Sequence, residues 1–491
     1  MFTWELCCTL LCVLWFYILW SRRRFYKLIF QIPGPLGYPL IGMAHKLLHK
    51  NDVLRQITYY KEKHGPCIFS WLGPMPFLIV SDPQVVQNVF NSPHCINKAI
   101  VYNSIKDAMG LGLFSESEPN WSVHRKLINP SFSYKMLVNF IPIFNTETAN
   151  LVKMVDQFVD CGEKDWIPIL YQFTLNTSYR TTIGTDVKAN EYTNSKNLCE
   201  VVINILGTAT DMCFSPWLLS KTVRQLLGRD KQYTKNKLVL TECVREFIET
   251  KIKNGRKTPP HSDDNYIFFN LVIDLMNRGI LTKKEVEGHT SNMILSALET
   301  SVNIVAYTLI LLAMFPEYQE KAFEEIRSLF PEAGDFEVTY ADTQNMPYMD
   351  LILNESMRVL PPVPLVARQT MQDVLLSNGV LIPKGVQIAI SIFHLHRDKK
   401  IWGEKAETFY PEHFLPQHME DKHPYSYVPF TKGIRNCIGW RYALISTKVT
   451  LAKLLRNYTF TTSFKFEDLH FVEHITLKFE QMPQLAIQRR D

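Results

Sequence analysis

The sequence has few of the features that mark several protein classes. Its ten cysteines show no repeated CxxC spacing, which argues against a zinc ribbon or a disulfide framework. It has no internal repeat and no glycine-rich dinucleotide fingerprint. Charged residues make up only 21% of the 491 positions, and the net charge of +5 is dispersed apart from one short N-terminal run, so nucleic-acid binding is not indicated. Hydrophobic residues, at 46%, suffice for a large folded core.

The N-terminal residues form a long apolar run followed by positive charge. Phe2–Trp20 contains Glu5 as its only charge, and as a helix it extends about 28 Å, enough to span a membrane. Arg22–Arg24 and Lys27 follow the run, whereas a cleavable signal peptide carries its charge before it. We therefore expect residues 1–21 to be an uncleaved membrane anchor, with the rest of the chain in the cytosol. A signal peptide and a buried helix are the alternatives.

A stiff connection is expected between the anchor and the globular part. Ile32–Gly42 contains three prolines and three glycines, which prevent a continuous helix. We interpret residues 22–45 as a basic stop and a proline-rich hinge, and residues 46–491 as the globular domain.

The pattern beyond the hinge predicts a mainly helical protein with small β-sheets. Lys284–Met314 is almost free of proline and glycine and is apolar nearly all round in its second half, which is typical of a helix through a core. Pro361 and Pro362 end a later helix. The expected elements are helices Lys284–Met314, Glu317–Phe330, Tyr348–Leu360 and Trp440–Leu455, strands Phe77–Val80 and Val386–Ile390, and a surface connection at Lys253–Asn265.

The segment Pro429–Gly439 concentrates glycine, arginine and cysteine directly before a predicted helix. Gly433 permits a left-handed turn, and Gly439 allows the backbone to approach a flat cofactor. At a helix N-terminus, the thiolate of Cys437 is stabilised by backbone N–H groups and by the helix dipole. An isolated cysteine is more often a buried, inert residue, so the argument depends on the spacing of the whole segment.

The spacing Phe430-x-x-Gly433-x-Arg435-x-Cys437-x-Gly439 resembles the haem-binding loop of the cytochrome P-450 superfamily. The resemblance implies the mostly helical, triangular fold of that superfamily, with haem b between the central helix and the cysteine-loop helix. It also implies that Cys437 is the axial ligand of the haem iron.

The resemblance further implies a monooxygenase that inserts one oxygen atom from dioxygen into a lipophilic substrate: a fatty acid, a terpenoid or steroid hormone, or a xenobiotic. Residues 46–491 are then its haem-thiolate catalytic domain, which the anchor holds at the endoplasmic reticulum membrane. Electrons are expected from NADPH through a separate flavoprotein reductase, with a cytochrome b-type protein as a second donor, because the chain has no flavin or Rossmann fingerprint.

Two further segments resemble sites that bind the haem carboxylates. In Trp121-x-x-x-Arg125, the i, i+4 spacing of a helix puts an indole N–H and a guanidinium on one face, where they can share a carboxylate. Arg368 and Arg435 match other propionate-binding arginines of the superfamily. Without the resemblance, a Trp121–Arg125 pair is more often an ordinary surface pair.

Glu355-Ser-Met-Arg358 resembles the ExxR motif of the superfamily, whose ion pair has a structural role behind the cysteine loop. By chance, such a string is usually a solvated helix pair. The third partner is normally an arginine, but this chain has His413 in Pro411-Glu-His-Phe414. Histidine can hydrogen-bond Glu355, although its charge depends on pH. We therefore expect the change from arginine to His413 to affect the stability of this region more than the chemistry of the site.

The predicted central helix contains an acid and a hydroxyl. Ala297-Leu-Glu-Thr300-Ser301 resembles the oxygen-activating segment of the superfamily, which implies Glu299 as the proton-relay acid and Thr300 as the hydroxyl that orients oxygen and water. In a helix, a threonine more often bonds its own backbone, and an acid is usually solvated. Retention of both residues favours a monooxygenase over two alternatives, a haem-thiolate isomerase or dehydratase of oxygenated lipids and a non-catalytic haem-binding sensor.

Two residues of this segment differ from the usual pattern of the superfamily. Ala297 occupies the place of the usual glycine, and Ser296 stands where fatty-acid ω-hydroxylase-like members often have a glutamate esterified to haem. Serine cannot form that ester, so haem is expected to be held non-covalently apart from the thiolate–iron bond. Gly110–Leu113, Asn129–Phe132 and Asn139–Asn145 nonetheless resemble this clan, which has many insect members.

Surface contacts and the substrate pocket remain hypotheses from the sequence. Lys432, Arg441 and Lys448 are candidate contacts for the reductase. Phe214 and Trp217–Leu219 are candidates for a second membrane contact, with burial in the core as the alternative. The expected pocket is lined by Val101–Gly112, Ile203–Leu219 and the central helix.

Overall fold

The computed structural model describes residues 19–35, 37–38, 41–47, 52–184, 195–255 and 267–490, together with positions 6, 9, 13, 16 and 17. Helices dominate these residues, and the strands form small sheets, so the predicted mainly helical fold class is confirmed. Most of the predicted anchor and most of the predicted connection Lys253–Asn265 lie outside the described residues.

The helices begin and end where the local sequence favours it. Thr282 and Glu285 form a capping box before the longest helix: the Glu285 N–H donates to the Thr282 hydroxyl at 3.3 Å, and the Thr282 N–H donates to the Glu285 carboxylate at 2.7 Å. Pro316 and Pro347 stand at first helical positions, where their missing N–H costs nothing. The helices are α1 (Arg23–Ile29), α2 (Ala44–Leu47), α3 (Val53–His64), α4 (Pro83–Asn91), α5 (Asn103–Met109), α6 (Asn120–Ile128), α7 (Tyr134–Val155), α8 (Ile167–Ile183), α9 (Ser195–Phe214), α10 (Lys221–Leu226), α11 (Asp230–Gly255), α12 (Phe268–Asn277), α13 (Lys283–Met314), α14 (Pro316–Leu329), α15 (Tyr340–Gln344), α16 (Pro347–Val359), α17 (Ile392–Leu395), α18 (Lys399–Trp402), α19 (Pro416–Met419) and α20 (Trp440–Asn457).

The main sheet joins distant parts of the chain. It has the strand order β1-β2-β6-β3, in which β1 pairs with β2 and β6 with β3 antiparallel, while β2 and β6 run parallel. The remaining strands form two-stranded sheets, β4 with β5, β7 with β10 and β8 with β9. The strands are β1 (Cys67–Leu72), β2 (Met75–Val80), β3 (Leu365–Gln369), β4 (Val374–Leu375), β5 (Leu381–Ile382), β6 (Gln387–Ser391), β7 (Tyr458–Thr461), β8 (Phe471–Glu473), β9 (Leu477–Phe479) and β10 (Ala486–Arg489).

The long helix α13 runs through the main hydrophobic core. Every residue from Val302 to Ala313 is buried, and α13 packs against α8, α11, α16 and α20. Within the described part of the chain, α13 is the one helix long and apolar enough to cross a membrane, but 78% of its most apolar window is buried inside the protein. It is therefore a core helix.

The predicted helices and strands outside the undescribed segments are confirmed to within a few residues. The four helices predicted around the core correspond to α13, α14, α16 and α20, and the two predicted strands to β2 and β6. The boundaries were predictable because prolines and the capping box define them locally.

Candidate active site

The cysteine loop is held by its own backbone. Gly433 has φ 76°, and a Cβ at this position would lie 2.3 Å from the carbonyl oxygen of Phe90, so the turn requires glycine. The Cys437 N–H donates to the Phe430 carbonyl at 3.0 Å. Gly439 is the N-cap residue of α20, and its N–H donates to the Cys437 sulfur. The loop thus fixes the thiol at the start of a helix.

Cys437 is accessible yet desolvated. Its side chain is exposed, but burial raises the pKa of its thiol, while the Gly439 N–H, Arg125 and Lys98 act in the opposite direction. A side chain combines these two properties when it borders a space enclosed by the protein. We conclude that the sulfur faces the interior, where a ligand would be shielded from bulk water.

Three cations near this thiol are buried or desolvated. Arg368 is 1% exposed and Arg435 is 8% exposed. Arg368 Nη2 and Arg435 Nε and Nη1 have no hydrogen-bond partner among the described residues. Burial, followed by the charge of Arg368, lowers the pKa of Arg435 to about 9. Burial also lowers the pKa of Lys98, and Arg368 and Arg435 lower it further. Because buried cations without a counter-charge are unfavourable, the region suits a ligand with more than one negative charge.

Lys98 is a candidate cofactor-binding residue that the sequence motifs missed. It forms an isolated antiparallel bridge with Arg368 of β3, and its Nζ lies 4.4 Å from the ring centroid of Tyr102 and 4.7 Å from that of Phe114. The one signal in the sequence was a single lysine between Asn97 and Ala99, which is too common a pattern to indicate a site.

Helix α6 places Trp121 and Arg125, the predicted carboxylate-binding pair, against the cysteine loop. Trp121 is 2% exposed, and the guanidinium of Arg435 lies 4.3 Å from its ring centroid. Arg125 donates from Nη1 to the Asn436 carbonyl and from Nη2 to the Asn436 side-chain oxygen, both at 3.0 Å. The structure therefore brings Trp121, Arg125 and Arg435 together, although the sequence separates them by about 300 positions.

One face of α13 is partly exposed, although the helix runs through the core. Met293, Ser296, Ala297 and Thr300 are partly exposed, and their spacing of i, i+3, i+4 and i+7 puts them on one side of the helix. The Thr300 hydroxyl donates to the Ser296 carbonyl at 2.7 Å, which is the common backbone bond of a helical threonine. This face therefore borders a space inside the protein, and the Thr300 hydroxyl lies on it.

Glu299 has partners that differ from those of its neighbour Thr300. Its buried carboxylate forms an ion pair with Lys478 of β9 and accepts a hydrogen bond from the Tyr171 hydroxyl at 3.3 Å. Lys478 also donates to the Tyr171 oxygen at 3.2 Å. Burial, together with Glu299, raises the pKa of Tyr171. Tyr171 and Lys478 were not predicted, because no local motif links them to α13.

The Glu355–Arg358 pair is fully buried and its hydrogen bonds are saturated. Arg358 donates from Nε and Nη2 to the two Glu355 oxygens at 2.7 Å each, and to the carbonyls of His396, Ala406 and Thr408 at 2.7–2.8 Å. His413 Nδ1 lies 3.1 Å from the Glu355 carboxylate, and its Nε2 lies 3.1 Å from the Trp402 carbonyl. Both partners of His413 are acceptors, so both bonds form together only when the ring carries two protons.

The structure corrects one predicted reductase contact. Lys448 is 5% exposed and is held by the Thr343 carbonyl at 2.6 Å and the Asp350 carboxylate at 2.7 Å, so it is not a surface cation. The prediction was wrong because the inward side of α20 carries this lysine to the end of another helix. Arg441 is exposed and Lys432 is partly exposed.

Taken together, these groups fit an anionic, planar cofactor with a metal centre. The thiol can bind a metal, and the free N–H groups of Arg368 and Arg435 can bind two carboxylates. Among the described residues, the nearest atom that faces a Cβ built on Gly439 is a ring carbon of Phe132 at 3.9 Å, so this side of the loop is open. Haem matches this donor set. The fold and the site thus define a haem-thiolate protein.

Comparison with known proteins agrees with this class. The sequence model of the family described as Cytochrome P450 matches residues 32–476. The chain is 59% identical over 493 residues to "Probable cytochrome P450 313a4" of Drosophila melanogaster, with 100% of both chains covered. It is 39% identical over 478 residues to "Probable cytochrome P450 313a1" of the same organism, with 97% of each covered. It is 27% identical over 502 residues to the Drosophila "Cytochrome P450 4c3", with 98% of this chain and 93% of the relative covered. The chain belongs to the cytochrome P450 family.

Membership in the family establishes the reaction class. The protein is a monooxygenase, an oxidoreductase that uses haem b with a cysteine thiolate on the iron. The predicted superfamily is confirmed, and the insect relatives confirm the predicted clan.

Proposed function

We propose that the protein inserts one oxygen atom into a lipophilic substrate, with electrons delivered from NADPH by a membrane flavoprotein reductase. A fatty acid, a terpenoid or steroid hormone, or a xenobiotic fits such a site. The observation that carries the proposal is the accessible yet desolvated thiol of Cys437, which lies near buried cations that have no carboxylate partner among the described residues. A cytochrome b-type protein is a second candidate electron donor, and Lys432 and Arg441 are candidate contacts on this chain.

Each residue of the site has a proposed role toward haem. When bound, haem supplies the iron centre at which dioxygen is reduced. Charge complementarity supports the assignment, because the guanidinium groups at the site lack carboxylate partners among the described residues. The roles are iron ligand for Cys437, carboxylate binding for Trp121, Arg125, Arg368 and Arg435, packing for Phe430 and Gly439, and support of the loop for Glu355, Arg358 and His413.

The proposed proton path uses Glu299 and Thr300. The Thr300 hydroxyl donates to the Ser296 carbonyl, which leaves the lone pairs of its oxygen free to accept from water in the enclosed space. The ammonium of Lys478 forms an ion pair with the Glu299 carboxylate and holds it in place next to Thr300. A threonine that orients water and a carboxylate that exchanges protons together support oxygen insertion.

The decisive experiment measures NADPH consumption by the holoprotein with purified reductase and candidate lipids. A monooxygenase consumes NADPH and oxygen and forms a product with one added oxygen atom. Conversion of a lipid hydroperoxide without NADPH would instead identify an isomerase or dehydratase. Ligand binding without turnover of either substrate class would identify a sensor.

We further propose that residues 1–21 anchor the protein in the endoplasmic reticulum membrane, that residues 22–45 form the hinge and that residues 46–491 face the cytosol. The side chains of Phe16, Tyr17 and Trp20 are exposed by 67–70%, which is costly in water and favourable in lipid. Trp217 is 49% exposed and Leu219 36%, so they support a second membrane contact. Leu218 is 3% exposed and belongs to the core instead.

Deletion of residues 2–24 tests the anchor. We expect the truncated protein to move largely from the membrane pellet to the supernatant. In the truncated protein, a further Trp217→Ser change should release the fraction that is still bound to the membrane. Trp166→Phe, which changes a buried tryptophan of the core, is the control and should not release it. A truncated protein that stays fully bound after a high-salt wash would disprove the anchor as the principal attachment.

A further inference from the structure

A buried cluster of metal-ligating side chains lies beside the cysteine loop but outside the site described above. Glu116 precedes α6, His124 lies on α6, and His289 lies on α13; they are 6%, 6% and 1% exposed. The Glu116 carboxylate is 2.7 Å from His124 Nδ1, which is 3.2 Å from His289 Nε2. One candidate ligand atom from each of the three residues lies within 4.8 Å of the others.

We propose that Glu116, His124 and His289 bind a zinc ion. A tetrahedral zinc site with N and O bonds of about 2.0–2.2 Å separates its ligand atoms by about 3.3 Å, so only small side-chain shifts are needed. Two imidazoles and a carboxylate are a donor set that zinc prefers, with water in the fourth position.

Hydrogen bonding alone satisfies the cluster poorly. His124 Nδ1 lies within hydrogen-bond distance of both the Glu116 carboxylate and His289 Nε2. One ring nitrogen carries at most one proton, so a single N–H cannot serve both neighbours well. His289 Nδ1 is buried and has no partner among the described residues. A metal ion would accept lone pairs from all three groups at once.

The surroundings resemble the outer sphere of a zinc site. His124 Nε2 points toward the carboxylate of Glu285, at 3.8 Å, and Glu285 is itself held by the capping box at Thr282. A carboxylate behind a ligating histidine fixes the ring and raises its basicity. The negative charges of Glu116 and Glu285 balance the two positive charges of the ion.

The proposed ion would have a structural effect on the haem site. The Glu116 backbone carbonyl accepts a hydrogen bond from Arg435, one of the buried cations near Cys437. Zinc would link the loop that contains Glu116 with both α6 and α13. It would thereby hold Arg435 in place without touching the reacting atoms.

The first test uses the untagged holoprotein, dialysed against zinc and then against metal-free buffer. We expect about one zinc per haem, and a zinc X-ray absorption spectrum with only N and O ligands at about 2.0–2.2 Å. Zinc content near zero after this treatment overturns the proposal. So does a sulfur ligand at about 2.3 Å, which would put the ion on a cysteine.

The second test compares variants. His289→Ala should lose the zinc, and Glu285→Gln should weaken zinc binding by about 10- to 100-fold. His418→Ala, which removes an exposed histidine, is the matched control and should keep it. Retention of zinc by His289→Ala overturns the proposal. If His289→Ala fails to fold, the affinity of Glu285→Gln decides, because an affinity equal to that of the unchanged protein contradicts the site.

Discussion

Lys478 of β9 forms an ion pair with Glu299 in the middle of α13, one residue before Thr300. A strand near the C-terminus therefore supplies the counter-charge of the proposed proton-relay acid. Tyr171 of α8 bonds both partners, so three elements meet at this carboxylate. Removing the ammonium would leave a buried carboxylate without its counter-charge.

Lys478→Met should accordingly lower the amount of product formed per NADPH. We expect this loss because the buried Glu299 carboxylate loses both its counter-charge and the group that holds it in place. Lys478→Arg, which keeps the charge, is the control and should retain most of the yield. A Lys478→Met yield equal to that of the unchanged protein would show that the ion pair is only structural.

Cys437→Ala should abolish the ferrous–CO Soret band that the thiolate ligand produces. The measurement is a difference spectrum of the reduced protein with and without CO. Cys161→Ala is the matched control, because Cys161 is also an exposed, free cysteine and should leave the band intact. Persistence of the band in Cys437→Ala would mean that another residue ligates the iron.

Thr300→Ala should uncouple electron flow from product formation. We expect product to fall by about 10²- to 10⁴-fold while NADPH consumption changes little, with the difference appearing as hydrogen peroxide. Ser301→Ala is the control, since that hydroxyl is about 100° further around the helix. An unchanged ratio of peroxide to product in Thr300→Ala would argue against the proton path.

Acid–organic extraction should remove haem completely from the denatured protein. Ser296 stands at the half-buried position where an ester-forming glutamate would be needed, and a serine hydroxyl cannot form that ester. Ser296→Glu provides the comparison: retention of haem on that variant alone would show that the position faces the cofactor. Haem left on the unchanged chain would contradict the non-covalent assignment.

Acid should destabilise the protein through His396. Its Nε2 accepts the Val428 N–H at 2.9 Å, and burial lowers the pKa of His396 from 6.5 to about 3. The unfolded chain then binds a proton that the folded chain excludes, so stability is complete above pH 6.5 and falls as the pH drops toward 3. At pH 5 the loss is about 2 kcal/mol.

The measurement for His396 is urea unfolding between pH 7 and pH 5. His396→Gln keeps an acceptor for Val428 but does not titrate, so its stability should depend less on pH. Burial also lowers the pKa of His394 to about 3, so part of the dependence of stability on pH remains in both proteins. His418→Gln, at the surface, is the control. Equal slopes for His396→Gln and the unchanged protein would disprove the role of His396.

The sequence alone was sufficient for the parts of this protein that depend on local spacing. Helices α13, α14, α16 and α20 could be predicted because their periodicity, capping residues and prolines lie within each element. The segment Phe430–Gly439 could be interpreted because its glycines and cysteine act within one loop.

Long-range contacts were decided only by the tertiary structure. Lys98 reaches the cysteine site through its pairing with β3, Lys478 reaches Glu299 from a C-terminal hairpin, and Lys448 is turned inward against Asp350. Nothing in the local pattern around a lysine says whether it meets water, a carboxylate or a cofactor, because burial depends on elements that are distant in sequence. The local sequence determined which chemical groups were present, and packing determined which of them share a desolvated space where their charges interact strongly.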